Sequence, residues 1–123
     1  MLSLAVWCVV ATLPPHVGKS FAASFAVPLI GWQHVTLHVH SRQDATIELR
    51  GVINADGDTS YRLRNDGIVD FELSPTLQGL MQRYRCSIEF AAFDAKRNDA
   101  TLRLRIRPLR LSKHLRLMPT ARA

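Results

Sequence analysis

Three histidines, His34, His38 and His40, lie within one short segment and are separated by even numbers of residues, four and two. Because side chains on a β-strand alternate between its two faces, this spacing places the three imidazoles on one face. Two imidazoles separated by one residue can bind one divalent metal ion, and a third ligand completes an open site of the kind that zinc occupies. The pattern predicts either a site for zinc or another divalent metal, or a solvated strand face. The candidates for further ligands are Asp44, Glu48 and His114.

A ladder of arginines close to the C-terminus is the second candidate site. Arg103, Arg105 and Arg107 alternate with apolar residues. On a strand they share one face at a spacing of roughly 6.6 Å, near that of successive phosphates. Arg110, Lys113 and Arg116 extend the basic stretch. Because a guanidinium group binds phosphate or carboxylate through paired hydrogen bonds, the five arginines of this stretch predict an anion-binding surface.

The charges are unevenly distributed along the chain, which has 16 Lys and Arg against 10 Asp and Glu. Residues 96–123 hold nine cations and one acid, whereas residues 44–94 hold nine acids and five cations. This asymmetry favours an anionic partner: an acidic lipid surface, an acidic protein or RNA. RNA is less favoured because no aromatic residue alternates with the arginines to stack on bases. In the alternative, Asp70, Glu72 and Glu89 neutralise the arginines across one sheet.

No motif in the sequence predicts an enzyme. Gly18-Lys19-Ser20 lacks the first glycine of a phosphate-binding loop, and residues 54–58 lack the sixth-position glycine of a calcium loop. No residue stands in a recognisable nucleophile signature. Cys86 alternates with Ile88 and Phe90, which predicts a buried structural thiol. We expect a non-catalytic protein without a cofactor, apart from the metal that the histidines could bind.

Alternation of apolar and polar residues dominates the chain from residue 34 onward. This period of two is typical of half-buried strands. Turn residues at 54–58 and 65–67 separate the segments, and a last strand is expected around 109–117. Pro108 cannot donate to a ladder, so it ends the preceding strand or marks an edge. The alternating segments are residues 35–40, 46–50, 61–64, 69–73, 86–90 and 101–107.

One short helix is expected between the fourth and fifth of these segments. Ser74 and Pro75 are typical of an N-cap and of the first helical position. Large residues then follow at helical spacing at positions 77, 80, 81 and 84. The predicted fold class is mainly β (α+β): an antiparallel meander sheet or small half-barrel of six to seven strands with one short helix near residues 75–84.

The N-terminal segment has the length and composition of a signal peptide. Residues 2–13 form an uncharged apolar run. As a helix this run would span roughly 18 Å, too short for a membrane core of ~30 Å. Small residues at Ala22–Ser24 suit a cleavage site, and the alternative is a buried apolar N-terminal segment. The predicted boundaries are a leader at 1–24, a linker at 25–33, a single β-rich domain at 34–118 and a basic tail at 119–123.

The stretch Ala22-Ala23-Ser24-Phe25-Ala26-Val27-Pro28 resembles a known targeting junction. Proteins of algae with secondary, red-lineage plastids carry an alanine-serine-alanine-phenylalanine-alanine-proline junction, where a signal peptide ends just before a phenylalanine that opens a transit peptide. The resemblance implies import into the plastid of such an alga. A plain secretory signal implies instead a secreted or periplasmic protein.

Together these patterns predict a small, exported, non-catalytic β-rich protein that binds an anionic surface or partner through the arginine ladder. The alternative is a lipocalin-like or START-like carrier, which holds a small apolar ligand such as a lipid or pigment in the cavity of a curved sheet. A last strand left unpaired favours a homodimer or a hetero-assembly, since exposed strand edges pair readily.

Overall fold

The computed structural model describes residues 16–120. The apolar run at residues 2–13, on which the leader prediction depends, lies outside the described residues. In chain order the elements are β1 (Ser20–Val27), β2 (Gly31–Val39), β3 (Asp44–Gly51), β4 (Ala55–Leu63), β5 (Val69–Leu73), α1 (Pro75–Arg83), β6 (Cys86–Asp94), β7 (Asp99–Ile106) and β8 (Leu111–Pro119).

The eight strands form one antiparallel sheet that is nearly closed into a barrel. Their order is β5-β4-β3-β2-β1-β8-β7-β6. β1 joins β8 through two residue pairs, Phe21 with Pro119 and Ala22 with Met118. The outer strands, β5 and β6, approach each other at the bridge between Ile68 and Ala92. The barrel therefore brings the N-terminal and C-terminal strands together.

The helix and three hairpin turns lie at the same end of the barrel, which we call the helix end. Because neighbouring strands run in opposite directions, the turns after β1, β3 and β7 all lie at this end. α1 connects the end of β5 to the start of β6 there. Ser74 accepts a hydrogen bond from the Leu77 amide, and Pro75 occupies the first turn. The predicted helix and its cap are confirmed.

Apolar side chains fill the barrel interior. Alternate residues point inward on each strand, as Leu102, Leu104 and Ile106 do on β7. A void between the inner faces of β2, β5 and β7 has a volume of about 10 Å³, and an open cleft of about 400 Å³ lies between α1, β5 and β6. A small-molecule site needs roughly 300 Å³ or more, which the cleft exceeds and the interior void does not, so the carrier alternative stays a prediction. The helix among residues 16–120 is too short and too polar to cross a membrane.

The predicted fold class is confirmed: the protein is mainly β and antiparallel, with one short helix. Eight strands are present, although the alternation predicted six to seven. The additional strand is β1, in which Phe21, Phe25 and Val27 are buried. Ala22 and Ala23 are half-buried on opposite sides of this strand, so alanine on both faces conceals the period of two.

Two predicted boundaries differ from the structure. The predicted linker at residues 25–33 instead forms the end of β1, the following turn and the start of β2. The turn predicted at residues 54–58 is also wrong, since β4 already begins at Ala55. A Cβ atom on Gly57 would lie 2.8 Å from Cβ of Leu77. The glycine is therefore needed for the close approach of the helix, not for a turn.

Candidate anion-binding surface

His34 and His38 lie on the outer face of β2, as their spacing predicted. The Nδ1 atom of His34 is 2.6 Å from Oγ of Ser24, and that of His38 is 2.6 Å from Oγ of Ser20. His38 also faces Glu48 on β3, with 3.4 Å between Nε2 and Oε1. These contacts tie β2 to its two neighbouring strands.

His40 follows the last residue of β2, and its Nε2 atom is 2.7 Å from Oγ1 of Thr46. His114 lies on β8, opposite Arg103 of β7. Among residues 16–120, no three His, Cys, Asp or Glu side chains come together in an arrangement that could hold a metal ion. The metal prediction therefore has no geometric support in this part of the chain.

The arginine ladder lies on the outside of the barrel. Arg103 and Arg105 are exposed on β7, between buried apolar neighbours. Arg107 and Arg110 are the first and last residues of the four-residue turn to β8, where the Arg110 amide donates a 2.9 Å hydrogen bond to the Arg107 carbonyl. Arg116 is exposed on β8. All five side chains are thus placed at the surface.

Two of the five arginines are neutralised within the molecule. Arg105 forms an ion pair with Glu89 of β6, at 3.4 Å. Arg116 donates from Nε to Asp99, whose side chain is fully buried. Arg97 reaches the same carboxylate at 3.7 Å. Neutralisation across the sheet, which the sequence left as an alternative, therefore applies to Arg105 and Arg116.

Arg103, Arg107 and Arg110 are different, because they form no ion pair with any acid among residues 16–120. One acid expected to face them, Asp70, instead pairs with Arg64 at 2.8 Å. Three guanidinium groups of the ladder are therefore exposed without an internal counter-charge in the part of the chain that is described.

Two further cations lie near these arginines towards the helix end: Arg85, which the sequence pattern did not indicate, and Lys113, which belongs to the predicted basic stretch. The Arg107 amide donates a 3.1 Å hydrogen bond to the Arg85 carbonyl, which holds the turn after α1 against the β7–β8 turn. Lys113 is exposed near the start of β8. Arg85 is far from the ladder along the chain, so only the fold brings it there. We name these five residues the cationic cluster: Arg85, Arg103, Arg107, Arg110 and Lys113.

The backbone at two of these cations is in the left-handed region. Arg85 has a φ of 52° and Arg110 a φ of 50°. This region favours glycine and asparagine, because the Cβ atom of other residues crowds the backbone there. Both positions nevertheless carry an exposed arginine. Arg85 directly follows the C-cap of α1, and Arg110 closes the β7–β8 turn, which are positions where a left-handed residue commonly ends an element.

The buried titratable groups belong to the core. Burial raises the pKa of the Cys86 thiol to about 12, so the thiol stays protonated, and the prediction of a buried thiol is confirmed. Burial, together with the charge of Asp44, raises the pKa of Tyr61 to about 12. The pKa of His16 is lowered by burial. These shifts follow from packing inside the barrel.

The cationic cluster is defined by its own geometry and charge. No protein-family model, curated protein or solved structure matches the chain. What distinguishes the cluster is that its five side chains are exposed and carry one sign of charge, whereas Arg105 and Arg116 beside it are ion-paired.

Proposed function

We propose that the protein is a non-catalytic binding protein whose cationic cluster binds an anionic surface or partner. The observation that carries this proposal is the absence of an internal counter-charge for Arg103, Arg107 and Arg110 among residues 16–120. Like charges held close together repel each other, so an anionic ligand that contacts several of them lowers the free energy of the complex.

The chemistry of the cluster suits oxyanions. Four of its five members are arginines, and each guanidinium can donate two parallel hydrogen bonds to a phosphate or carboxylate. Arg103 lies on a strand, and Arg107 and Arg110 are held by the hydrogen bond across their turn. The donors are therefore placed on ordered backbone before the ligand arrives.

Binding to three anionic probes tests the proposal. The probes are vesicles of phosphatidylcholine and phosphatidylserine in equal parts, a poly-glutamate peptide, and a single-stranded RNA. We expect binding to at least one of them, with an affinity that falls as salt is added, because salt screens exposed charges. An affinity that does not depend on salt for any probe would contradict an electrostatic mode of binding.

A matched pair of charge reversals tests the location of the site. Arg103→Glu with Arg107→Glu changes two cluster members, and Arg62→Glu with Lys96→Glu makes the same change of net charge at the opposite end of the barrel. We expect the first variant to bind at least about tenfold more weakly, since each surface cation contributes on the order of 1 kcal/mol at an anionic surface. The control should bind nearly as the unmodified chain does.

Circular dichroism of both variants verifies the fold. If the reversal at Arg103 and Arg107 disturbs the sheet, the milder pair Arg103→Gln and Arg107→Gln replaces it. An equal loss of binding in the cluster variant and its control would show that net charge acts without a defined site.

A further inference from the structure

The turn between β1 and β2 exposes a group of large apolar side chains. Leu29 is fully exposed, Ile30 is 55% exposed and Trp32 is 60% exposed. Pro28, which precedes them, is exposed as well. Single exposed apolar residues are common on protein surfaces, but here four of five consecutive residues are apolar and exposed, which makes a contiguous patch. We call these residues the apolar tip.

The backbone at Leu29 is in a conformation that favours glycine. The Ile30 amide donates a 3.1 Å hydrogen bond to the Val27 carbonyl, with Pro28 and Leu29 at the centre of the turn. Leu29 has a φ of 68°, and the third position of a type II turn, where φ is positive, normally holds glycine or asparagine. The leucine therefore disfavours the turn and contributes no packing to the monomer.

The apolar tip and the cationic cluster are at the same end of the molecule. β8 is the neighbour of β1 in the sheet and runs antiparallel to it. The end of β1 and the β7–β8 turn therefore both lie at the helix end. Of the acids towards this end, Asp56 and Glu89 are ion-paired with Arg50 and Arg105, whereas Asp58 and Glu72 are exposed on β4 and β5. Cations and apolar side chains thus share one end of the barrel.

We infer that the anionic partner is a lipid surface, into which the apolar tip inserts while the cationic cluster contacts the phosphates of the head groups. This inference rests on the proposed function of the cluster. Leucine and isoleucine side chains are stable at the boundary of the acyl chains, tryptophan is favoured at the level of the head groups, and arginine and lysine bind anionic head groups.

The combination of features favours a membrane over the other anionic partners. An acidic protein or an RNA could satisfy the cations, but neither needs Leu29 and Ile30 to be exposed on a projecting turn. A bilayer presents phosphates and an apolar layer at adjacent depths, and therefore satisfies the cationic cluster and the apolar tip in one orientation.

The substitution Leu29→Asn separates insertion from folding. Asparagine tolerates a positive φ, so the turn should form at least as well as before, while the apolar side chain is lost. We expect about tenfold weaker binding to the mixed phosphatidylcholine and phosphatidylserine vesicles, since transfer of a leucine side chain from water corresponds to at least tenfold in an equilibrium constant. Leu63→Asn removes another exposed leucine at the opposite end and should leave vesicle binding unchanged.

Fluorescence of Trp32 reports insertion directly. The chain has two tryptophans, Trp7 and Trp32, so Trp7→Phe in the full chain leaves Trp32 as the single emitter. We expect its emission to shift to shorter wavelength with the mixed vesicles, and to be quenched by lipids brominated near the head group. The poly-glutamate peptide and the RNA should cause no such shift.

The outcomes distinguish this inference from the proposed function. If the double reversal of Arg103 and Arg107 weakens vesicle binding but Leu29→Asn does not, insertion is overturned and the cationic cluster remains the site. Tighter binding to poly-glutamate or RNA than to vesicles, without a Trp32 shift, also overturns the lipid assignment. If the double reversal affects no probe, the proposed function itself fails.

Discussion

At the scale of single residues, the arginines of β7 and β8 have two different roles. Arg116 contacts a fully buried carboxylate, that of Asp99, and a buried charge is tolerated only when it is paired. Arg103 lies two residues beyond Thr101, the residue that pairs with Arg116. Its cross-strand neighbours are Phe90 and His114, and neither is an acid. The alternation in the sequence predicted the outer face for all these arginines. Which of them is neutralised depends on neighbours that only strand register decides.

His16 makes the stability of the fold depend on pH. Its ring stacks on Phe93 at a centroid distance of 4.3 Å, and burial lowers its pKa from the usual 6.5. The unfolded chain therefore binds the proton more tightly than the folded protein. We expect the free energy of unfolding to be highest above pH 6.5 and to fall as the pH drops through 6.5 towards the lower folded-state pKa. Urea titrations at a series of pH values measure this slope.

Two variants test whether His16 causes this dependence of the free energy of unfolding on pH. His16→Phe keeps an aromatic ring against Phe93 and removes the titrating group, so the free energy of unfolding should change less with pH in the same window. His114→Gln, which replaces an exposed histidine on β8, is the matched control. A slope that persists unchanged in His16→Phe would rule out this source of the pH dependence.

At the scale of elements, the same substitution at two glycines should have opposite effects. In Gly57→Ala the new Cβ would lie 2.8 Å from Cβ of Leu77, and such overpacking lowers the free energy of unfolding by about 1–3 kcal/mol. In Gly79→Ala the Cβ meets nothing within 4 Å, and alanine raises helix stability by about 1 kcal/mol. Urea unfolding of both variants measures whether the free energy of unfolding falls or rises. Destabilisation by Gly79→Ala would contradict the packing described for α1.

Local chemistry explains which elements were predictable from the sequence. The helix was predicted because Ser74 and Pro75 act within the helix itself, and β7 because large apolar residues alternate with arginine. β1 was not predicted, since alanines occupy both of its faces. The part of the cationic cluster contributed by Arg85 depends on a backbone contact between distant turns, which no local pattern encodes.

At the scale of the whole molecule, β1 lies between β2 and β8 and joins the two halves of the sheet. A chain that starts at Phe25 keeps only the end of β1 and loses Phe21, which is 1% exposed, with both of the residue pairs to β8. We expect this variant to lose the cooperative thermal transition, measured by near-ultraviolet circular dichroism. A chain that starts at His16 keeps all of β1 and is the control.

Cooperative unfolding of the Phe25 variant would show that the fold does not need β1. The experiment also bears on the predicted leader, because cleavage after Ser24 would produce that same shortened chain. Export and plastid import stay predictions, and mass spectrometry of the mature N-terminus would locate any processing site relative to Ser20, where β1 begins.

The order of the strands separates positive from negative charge across the barrel. β3 and β4 carry four acids and two arginines, whereas β7, β8 and the turn between them carry one acid and six cations. Such a molecule has a permanent electric dipole moment. In the field of a negatively charged surface it experiences a torque and rotates during its approach, so that the flank with Arg103 arrives first. Fewer collisions then occur in unproductive orientations, and association is fastest at low ionic strength.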